Sequence, residues 1–317
     1  MDAPMIRTQG LTKRFDDVLA LDALDLEVDR GEVFGFLGPN GAGKSTTIRL
    51  LLGLIRPTAG EAWLGGVPVA DVGRAHRSLS YVPGDVSLWP QLTGAETLEL
   101  LGNVSGGVDR RFRDELVERF HLDVSKRARA YSKGNRQKVA LIAAFMTRPE
   151  ILLLDEPTAG LDPLMEAEFQ ALAREASKEG QTVFLSSHIL DEVEDLCGRV
   201  AILRAGRLVE VAVLEDLRDI TTTVLEATLA GPVPDLTGVP GVVDVAPMPG
   251  GVRVTVAGRP DAALQRLLPA GILRLQSRAP TLEQIFLTYY EVSPEQRDAV
   301  AAAHGGGTTR PGSGRAR

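Results

Sequence analysis

Short apolar strands alternate with helical segments over the first two hundred residues. The chain alternates apolar and polar positions from about residue 24 and then reaches the apolar run 33–37, which is typical of a buried strand. A glycine-rich turn follows, and residues 44–55 place apolar side chains at helical spacing. Further strands are predicted at 79–82, 151–154, 182–185, 199–204 and 207–211, and further helices near 96–101, 111–120, 136–146, 163–179 and 189–196. Strands that are apolar on both faces and alternate with helices indicate an α/β fold with a mainly parallel sheet covered on both sides.

The pattern changes near residue 221. Short strands at 223–229, 242–246, 252–256 and 272–276 are separated by Gly/Pro turns, and helices are predicted near 260–268 and 282–290. The chain is therefore predicted to have a larger domain of residues 1–220 and a small α+β domain of residues 221–292. A tail, 293–317, is predicted to be disordered, because its last 13 residues contain five Gly and three Arg and almost no apolar side chain.

Composition narrows the classes of function. The 35 Lys+Arg and 42 Asp+Glu give a net charge of −7, which argues against nucleic acid as the main partner. The single cysteine, Cys197, excludes an intrachain disulfide and a cysteine-based metal cage. We see no secretory signal, and the longest apolar run, about 139–146, is far shorter than the roughly 18–20 residues that span a bilayer. We expect an intracellular protein that would need another chain to cross a membrane.

The turn after the strand 33–37 carries the first chemical motif. It fits G-x-x-x-x-G-K-[ST] and consists of Gly38, Pro39, Asn40, Gly41, Ala42, Gly43, Lys44, Ser45 and Thr46. Glycines let backbone N–H groups converge on phosphate oxygens at a helix N-terminus. Lys44 can reach the β- and γ-phosphates, and the Ser45 hydroxyl can ligate Mg²⁺. The pattern predicts a nucleotide-binding loop.

Two carboxylates, Asp155 and Glu156, follow the apolar strand 151–154. Open α/β sheets bind ligands at the carboxyl ends of their strands. Asp155 would hold Mg²⁺ through water, and Glu156 would orient or deprotonate an attacking water. On its own this pair is more typical of a solvated strand end. Downstream of a phosphate-binding loop it favours phosphoryl transfer to water.

A third segment, residues 131–137, opens a helix with Ser132, Gly134 and Asn135 at its start. A Ser hydroxyl, a Gly amide and a helix N-terminus together suit an anion. The alternative is that Ser132 serves only as the N-cap of the helix.

The order of these motifs, followed by residues 159–162 and His188, resembles that of the ATP-binding subunit of an ABC transporter over about residues 5–215. The resemblance implies a P-loop ABC ATPase domain with a helical subdomain at about 85–148, and ATP and Mg²⁺ as ligands. It also implies a homodimer in which Ser132, Gly134 and Asn135 of one copy cap the γ-phosphate of ATP held by the other. In that family the segment with Asp162 crosses the dimer interface.

The resemblance assigns two further residues. His188 would contact the γ-phosphate, although a lone His is usually a surface or capping residue. Phe15 would stack on adenine, although it could equally belong to the core. Two departures from the family pattern also stand out. Gly84 occupies a position where the family usually has Gln, so that either Asp85 replaces it at the metal or the metal keeps an extra water. Lys133 and Asn135 replace the usual Gly and Gln.

The resemblance implies an ATP-hydrolysing subunit on the inner face of the cell membrane that drives a separate integral membrane permease. The C-terminal domain and the segment 282–286 (Leu-Glu-Gln-Ile-Phe) resemble the daunorubicin-resistance type of drug exporter, which implies a drug, antibiotic or lipid-like cargo. Two alternatives remain open at this stage. One is a soluble ABC ATPase acting on ribosomes or in DNA repair. The other is a nucleotide-gated module with little turnover, which the departures at Gly84 and Asn135 keep open.

Overall fold

A computed structural model describes residues 3–214, 223–257 and 259–278 of the chain. The backbone divides into two compact units, Met1–Leu217 and Arg218–Arg317, which are described one at a time.

Ten strands and seven α-helices make up the described part of the first unit. The strands are β1 (Ile6–Phe15), β2 (Val18–Val28), β3 (Val33–Leu37), β4 (Ala59–Leu64), β5 (Val67–Pro68), β6 (Leu79–Val82), β7 (Ile151–Asp155), β8 (Thr182–Ser187), β9 (Arg199–Arg204) and β10 (Arg207–Val213). The helices are α1 (Lys44–Leu51), α2 (Val72–Ala75), α3 (Gly94–Val104), α4 (Arg110–Arg119), α5 (Lys133–Phe145), α6 (Pro163–Lys178) and α7 (Leu190–Leu196).

The central sheet has the strand order β10-β9-β3-β8-β7-β6. All neighbouring strands are parallel except β10, which pairs antiparallel with β9. Every residue of β3 and of β7 is buried, in agreement with their continuous apolar sequences. The predicted α/β fold with a mainly parallel sheet is confirmed. Because the strands are parallel, the residues that follow β3, β7 and β8 leave the sheet at one edge.

A second, antiparallel sheet has the order β2-β1-β4-β5 and was not predicted. Its strand β1 mixes apolar and polar residues and has register shifts against both neighbours, so that its period is broken. Helix α1 and the apolar faces of the two sheets share one core, which includes Leu11, Leu24, Phe36, Ile48 and Leu64.

The predicted helical region between β6 and β7 contains α3, α4 and α5. Thr93 and Glu96 form a capping box at the start of α3, and Asp109 caps α4. Arg119 of α4 pairs with Glu168 and Glu175 of α6, at 2.5 and 2.7 Å. These ion pairs fasten α4 to a helix that packs on the central sheet.

The second unit contains an antiparallel sheet of order β12-β13-β11-β14, formed by β11 (Thr223–Leu229), β12 (Val242–Met248), β13 (Gly251–Val256) and β14 (Ile272–Arg278). Helix α8 (Asp261–Leu267) buries Ala263 and Leu267 against the apolar face of this sheet. These elements agree with the predicted α+β pattern. The predicted helix 282–290, the segment 282–286 and the tail 293–317 lie outside the described residues.

Across the described ranges, no helix has the length and apolar character that crossing a bilayer requires.

Candidate functional site

The turn between β3 and α1 needs its glycines. A Cβ atom on Gly38 would lie 2.5 Å from the carbonyl oxygen of Leu203, and one on Gly43 would lie 2.7 Å from that of Ala20. Gly43 also has a φ of +111°, in the left-handed region that L side chains rarely adopt. The backbone of residues 38–46 therefore folds tightly between the two sheets and presents the start of α1.

Several amides at the start of α1 have no protein acceptor. Ala42 N–H donates to the carbonyl of Pro39 and Thr47 N–H to that of Gly43, at 3.0 and 2.9 Å. Within the described residues, the N–H groups at positions 43–46 make no such bond. Free donors at a helix N-terminus, together with the helix dipole, suit a phosphate group.

Lys44 begins α1 with its side chain inside the turn. It is 5% exposed, and Nζ donates to the carbonyls of Gly38 and Pro39 at 2.6 and 3.3 Å. Burial lowers the pKa of Lys44, and the charges of Glu156 and Asp155 oppose that shift. The ammonium is thus buried close to the two carboxylates predicted from the sequence. Ser45, the next residue, is exposed at the helix start.

Asp155 is the buried last residue of β7. The hydroxyl of Ser186, its partner in register on β8, donates to Asp155 Oδ1 at 2.5 Å. This bond orients the carboxylate and leaves Oδ2 for another ligand. The sequence analysis missed Ser186, because its role depends on the pairing of β7 with β8.

Glu156 leaves β7 with a φ of +48°, a left-handed conformation that costs of order 1–3 kcal/mol for a non-glycine residue. Its N–H donates to the carbonyl of Ser186 at 3.0 Å, which holds the backbone in this conformation. Its Oε1 lies 3.0 Å from Nδ1 of His188, which follows β8. The two side chains, predicted from separate motifs, are therefore in direct contact.

Two buried hydroxyls and the half-buried carboxylate of Glu192 form a hydrogen-bond network next to this pair. Thr158 Oγ1 donates to Glu192 Oε1 at 2.7 Å, and Ser187 Oγ donates to Glu192 Oε2 at 3.0 Å. Burial raises the pKa of Glu192, and these two hydrogen bonds oppose the shift. The sequence analysis missed Thr158 and Glu192. The only signal would have been a carboxylate near the start of the helix that follows His188.

The start of α5 packs against the turn that follows Glu156. Ser132 caps α5 by accepting from Asn135 N–H at 3.2 Å, so the N-cap role of Ser132 is observed. A Cβ atom on Gly134 would lie 2.3 Å from the carbonyl oxygen of Gly160. Gln137 Nε2 donates to the carbonyl of Pro157 at 2.9 Å. Gly134 and Gln137 therefore border the segment that follows Glu156. Asp162 caps the next helix, α6, by accepting from Met165 N–H at 3.1 Å.

Phe15 ends β1 with its ring 43% exposed, which excludes the core alternative. The ammonium of Lys13 lies 4.8 Å from the ring centroid and is held there by the carbonyl of Arg56 at 2.8 Å. No contact in the described part of the chain joins Phe15 to Lys44 or Glu156.

Gly84 lies beside the carboxylate pair. A Cβ atom there would be 3.2 Å from the carbonyl oxygen of Asp155. Asp85 is exposed and makes no contact with Asp155 or Ser45 among the described residues, so its assignment to a metal stays a prediction.

The oxygen donors near the turn suit Mg²⁺ better than a metal that prefers nitrogen or sulfur. Asp155 offers a carboxylate oriented by Ser186, and Ser45 offers a hydroxyl. Mg²⁺ uses one or two protein oxygens and completes its shell with water and substrate phosphates. In the ranges that the structure describes, no group of three or more His, Cys, Asp or Glu side chains gathers as a metal cage.

Comparison with known proteins gives consistent matches. The sequence profile described as ABC transporter matches residues 21–159. An uncharacterised ABC transporter ATP-binding protein of Nostoc sp. is 42% identical over 207 residues, which are 63% of this chain and 62% of that protein. The daunorubicin resistance ATP-binding protein of Streptomyces coeruleorubidus is 41% identical over 219 residues, which are 67% of this chain and 69% of that protein.

A similar solved structure is a dimeric ATP-binding cassette in a post-hydrolysis state, bound to ADP and Pi. It matches with a TM-score of 0.59 and 25% sequence identity, over 66% of this chain and 99% of that one. The two relatives and this solved structure each match about two thirds of this chain.

Proposed function

This chain belongs to the ABC transporter family of ATP-binding subunits, and from that premise we propose that it hydrolyses ATP to drive a separate membrane permease. The observation that carries the proposal is the meeting of Lys44, Asp155, Glu156 and His188 at one edge of the central sheet. Phosphate-binding, metal-binding and proton-accepting groups stand together there, as phosphoryl transfer to water requires.

The nucleotide would bind with its phosphates on the turn 38–46. The free amides of residues 43–46 would donate to phosphate oxygens, and Lys44 would exchange its carbonyl partners for the β- and γ-phosphates. Lys13 lies against one face of the Phe15 ring, and adenine would stack on the other. Ser45 and Asp155 would hold Mg²⁺, which neutralises charge on the phosphates when bound, with Asp85 as a further candidate ligand.

Glu156 and His188 would act on the attacking water. An ionised carboxylate only accepts hydrogen bonds, so Nδ1 of His188 carries the hydrogen in the 3.0 Å contact with Oε1. Oε2 of Glu156 would accept a proton from water as the water oxygen attacks the γ-phosphorus and ADP leaves. Nε2 of His188 would face the γ-phosphate.

A second copy of the chain would complete each site. We propose that Ser132, Gly134 and Asn135 of that copy cap the γ-phosphate, with the segment of Asp162 at the interface. The dimeric state of the related cassette that contains ADP and Pi supports this arrangement. The capped start of α5 offers a further helix N-terminus for the phosphate.

We assign residues 1–220 to the nucleotide-binding domain, with residues 85–148 as its helical subdomain, and residues 221–292 to an accessory domain. The permease would carry a drug, antibiotic or lipid-like compound outward, as the name of the daunorubicin resistance relative suggests. The chain would then act on the inner face of the membrane.

The test compares Glu156→Gln with the wild type and with Glu61→Gln, which changes an exposed carboxylate on β4. We expect Glu156→Gln to bind ATP with unchanged affinity and to lower turnover by about 10²–10⁴-fold, the range for loss of a general base. Glu61→Gln should behave as the wild type does. Size-exclusion chromatography of Glu156→Gln with ATP and Mg²⁺ should show a dimer.

The partner is tested by capture of Glu156→Gln from detergent-solubilised membranes with ATP and Mg²⁺. Recovery of a stoichiometric multi-span protein supports the transporter. Recovery of ribosomal or DNA-bound proteins in its place contradicts the proposal and favours the soluble ATPase. A wild type that binds ATP with little turnover points to the nucleotide-gated module, the alternative that the departures at Gly84 and Asn135 keep open.

A further inference from the structure

One half-buried carboxylate, Glu192, bridges the two loops that carry Glu156 and His188. Its Oε1 accepts from Thr158 at 2.7 Å and its Oε2 from Ser187 at 3.0 Å. Thr158 lies two residues after Glu156, and Ser187 directly precedes His188. Oε1 therefore holds the loop after Glu156, and Oε2 holds the end of β8, from which the loop with His188 begins.

Both hydroxyl groups are buried, which gives the bridge a fixed geometry. Thr158 is 5% exposed and Ser187 1% exposed. Ser187 Oγ also accepts from Ile189 N–H at 2.9 Å, which fixes the hydroxyl on the side of α7. Thr158 Oγ1 has no acceptor but Glu192 among the described residues, and a buried hydroxyl that loses its partner is costly, whereas the Ser187 hydroxyl also lies 3.2 Å from the carbonyl oxygen of Ile189.

The helix that carries Glu192 is itself held in place. Val193 is fully buried, and a Cβ atom added to Gly35 of β3 would lie 2.5 Å from its Cγ1 and 3.2 Å from Cys197 Sγ. Helix α7 therefore lies directly on β3, the strand that leads into the turn 38–46. Glu192 thus projects from a fixed support, whereas Glu156 and His188 lie in loops.

We propose that Glu192 is a positioning residue that sets the separation of Glu156 and His188 and so controls turnover without contributing to nucleotide affinity. This inference rests on the proposed ATP hydrolysis. The amides at the start of α1 and the Lys44 ammonium make no bond to Glu192, so ATP binding does not depend on the bridge. The pair of side chains that acts on water does depend on it.

The test uses the full chain and three variants, Glu192→Ala, Glu192→Gln and Thr158→Val, with Asp195→Ala as a control on an exposed carboxylate of the same helix. We expect Glu192→Ala to lower kcat by about 10–10²-fold, the effect of misplacing reacting groups by up to an ångström, with an ATP Kd within about twofold of the wild type. Asp195→Ala should change neither quantity.

The conservative variants separate positioning from a general loss of structure. The amide side chain introduced by Glu192→Gln offers an oxygen and a nitrogen that the two hydroxyls can bond, so this variant should retain kcat within about threefold. Thr158→Val removes one hydroxyl at similar volume and should lower kcat. Adding it to Glu192→Ala should cause no further loss, because both changes break the same bridge.

A kcat of Glu192→Ala equal to that of the wild type overturns the inference. The inference is also overturned if Glu192→Gln lowers kcat as much as Glu192→Ala does, or if the fall in kcat is matched by an equal rise in ATP Kd. If the wild type does not hydrolyse ATP, the proposed function fails. Hydrogen exchange then tests whether Glu192 holds the loop after Glu156. Glu192→Ala and Thr158→Val should then speed exchange at the Ala159 and Leu161 amides by about tenfold in the nucleotide-free chain, and unchanged exchange overturns the inference.

Discussion

His188 Nδ1 lies 3.0 Å from Glu156 Oε1, although the two residues belong to separate sequence motifs 32 positions apart. The contact follows from strand pairing. Asp155 of β7 and Ser186 of β8 are partners in register, so the residues just beyond them leave the sheet side by side. The register of two parallel strands thus determines which side chains meet at the candidate site.

Replacing His188 with Ala should slow ATP hydrolysis by about 10–10²-fold, because Glu156 loses the hydrogen bond that orients its carboxylate, and a hydrogen bond to a charged group is worth about 1.5–3 kcal/mol. Single-turnover hydrolysis measures the change. His121→Asn is the matched control, since His121 is exposed and has a φ of +49°, which Asn tolerates. Unaltered turnover in His188→Ala would remove His188 from the reaction.

Replacing Lys44 with Ala should weaken ATP binding by about 10–150-fold, the equivalent of about 1.5–3 kcal/mol for a charge-assisted contact. Isothermal titration calorimetry measures the change. Lys178→Ala, which removes an exposed ammonium in the last turn of α6, should bind as the wild type does. Equal affinity in Lys44→Ala would mean that the phosphates bind elsewhere.

Replacing Gly134 with Ala should destabilise the fold by about 1–3 kcal/mol, because the new methyl would lie 2.3 Å from the carbonyl oxygen of Gly160 and must displace the backbone. Urea unfolding measures the change. Gly73→Ala is the matched control. Its Cβ would have nothing within 4 Å and it lies in helix α2, so stability should be retained or rise by up to about 1 kcal/mol. Equal stability of the two variants would contradict the close packing of α5 on residue 160.

Replacing Phe15 with Ala should weaken ATP binding by about 2–12-fold, the equivalent of about 0.5–1.5 kcal/mol for an aromatic stack. Phe15→Tyr keeps the ring and should bind normally. The melting temperature of both should stay close to that of the wild type, since the ring is 43% exposed. A large fall in melting temperature without a change in ATP affinity would show that Phe15 has a structural role.

The single thiol, Cys197, should resist a thiol reagent in the native chain. It is buried, and burial raises the pKa of its thiol, so that the reactive thiolate is scarce. One equivalent should react in denaturant. Gly35→Ala, whose methyl would press on Val193 and Cys197, should speed native labelling. Rapid native labelling of the wild type would show that α7 does not stay packed on β3.

Strong local signals account for what the sequence predicted. Burial determines the apolar runs of β3 and β7, and backbone geometry determines the glycines of the turn 38–46. Both causes leave clear patterns in the sequence. Strands β1 and β4 were missed. They pair with each other although they are far apart in the sequence, and neither shows a regular alternation of apolar and polar residues.

The supporting residues of the site were missed for a similar reason. Ser186 and Glu192 acquire their roles only when distant strands and helices meet. The same holds for Phe15, because the residues next to it in the sequence do not reveal whether its ring is buried.

The left-handed backbone at Glu156 lowers the stability of the fold at a residue that the proposed hydrolysis requires. Asn or Gly would adopt that conformation with less strain. Lineages selected only for survival at high temperature would therefore tend to lose the glutamate, and a heat-resistant descendant that keeps it must have gained its stability at other positions.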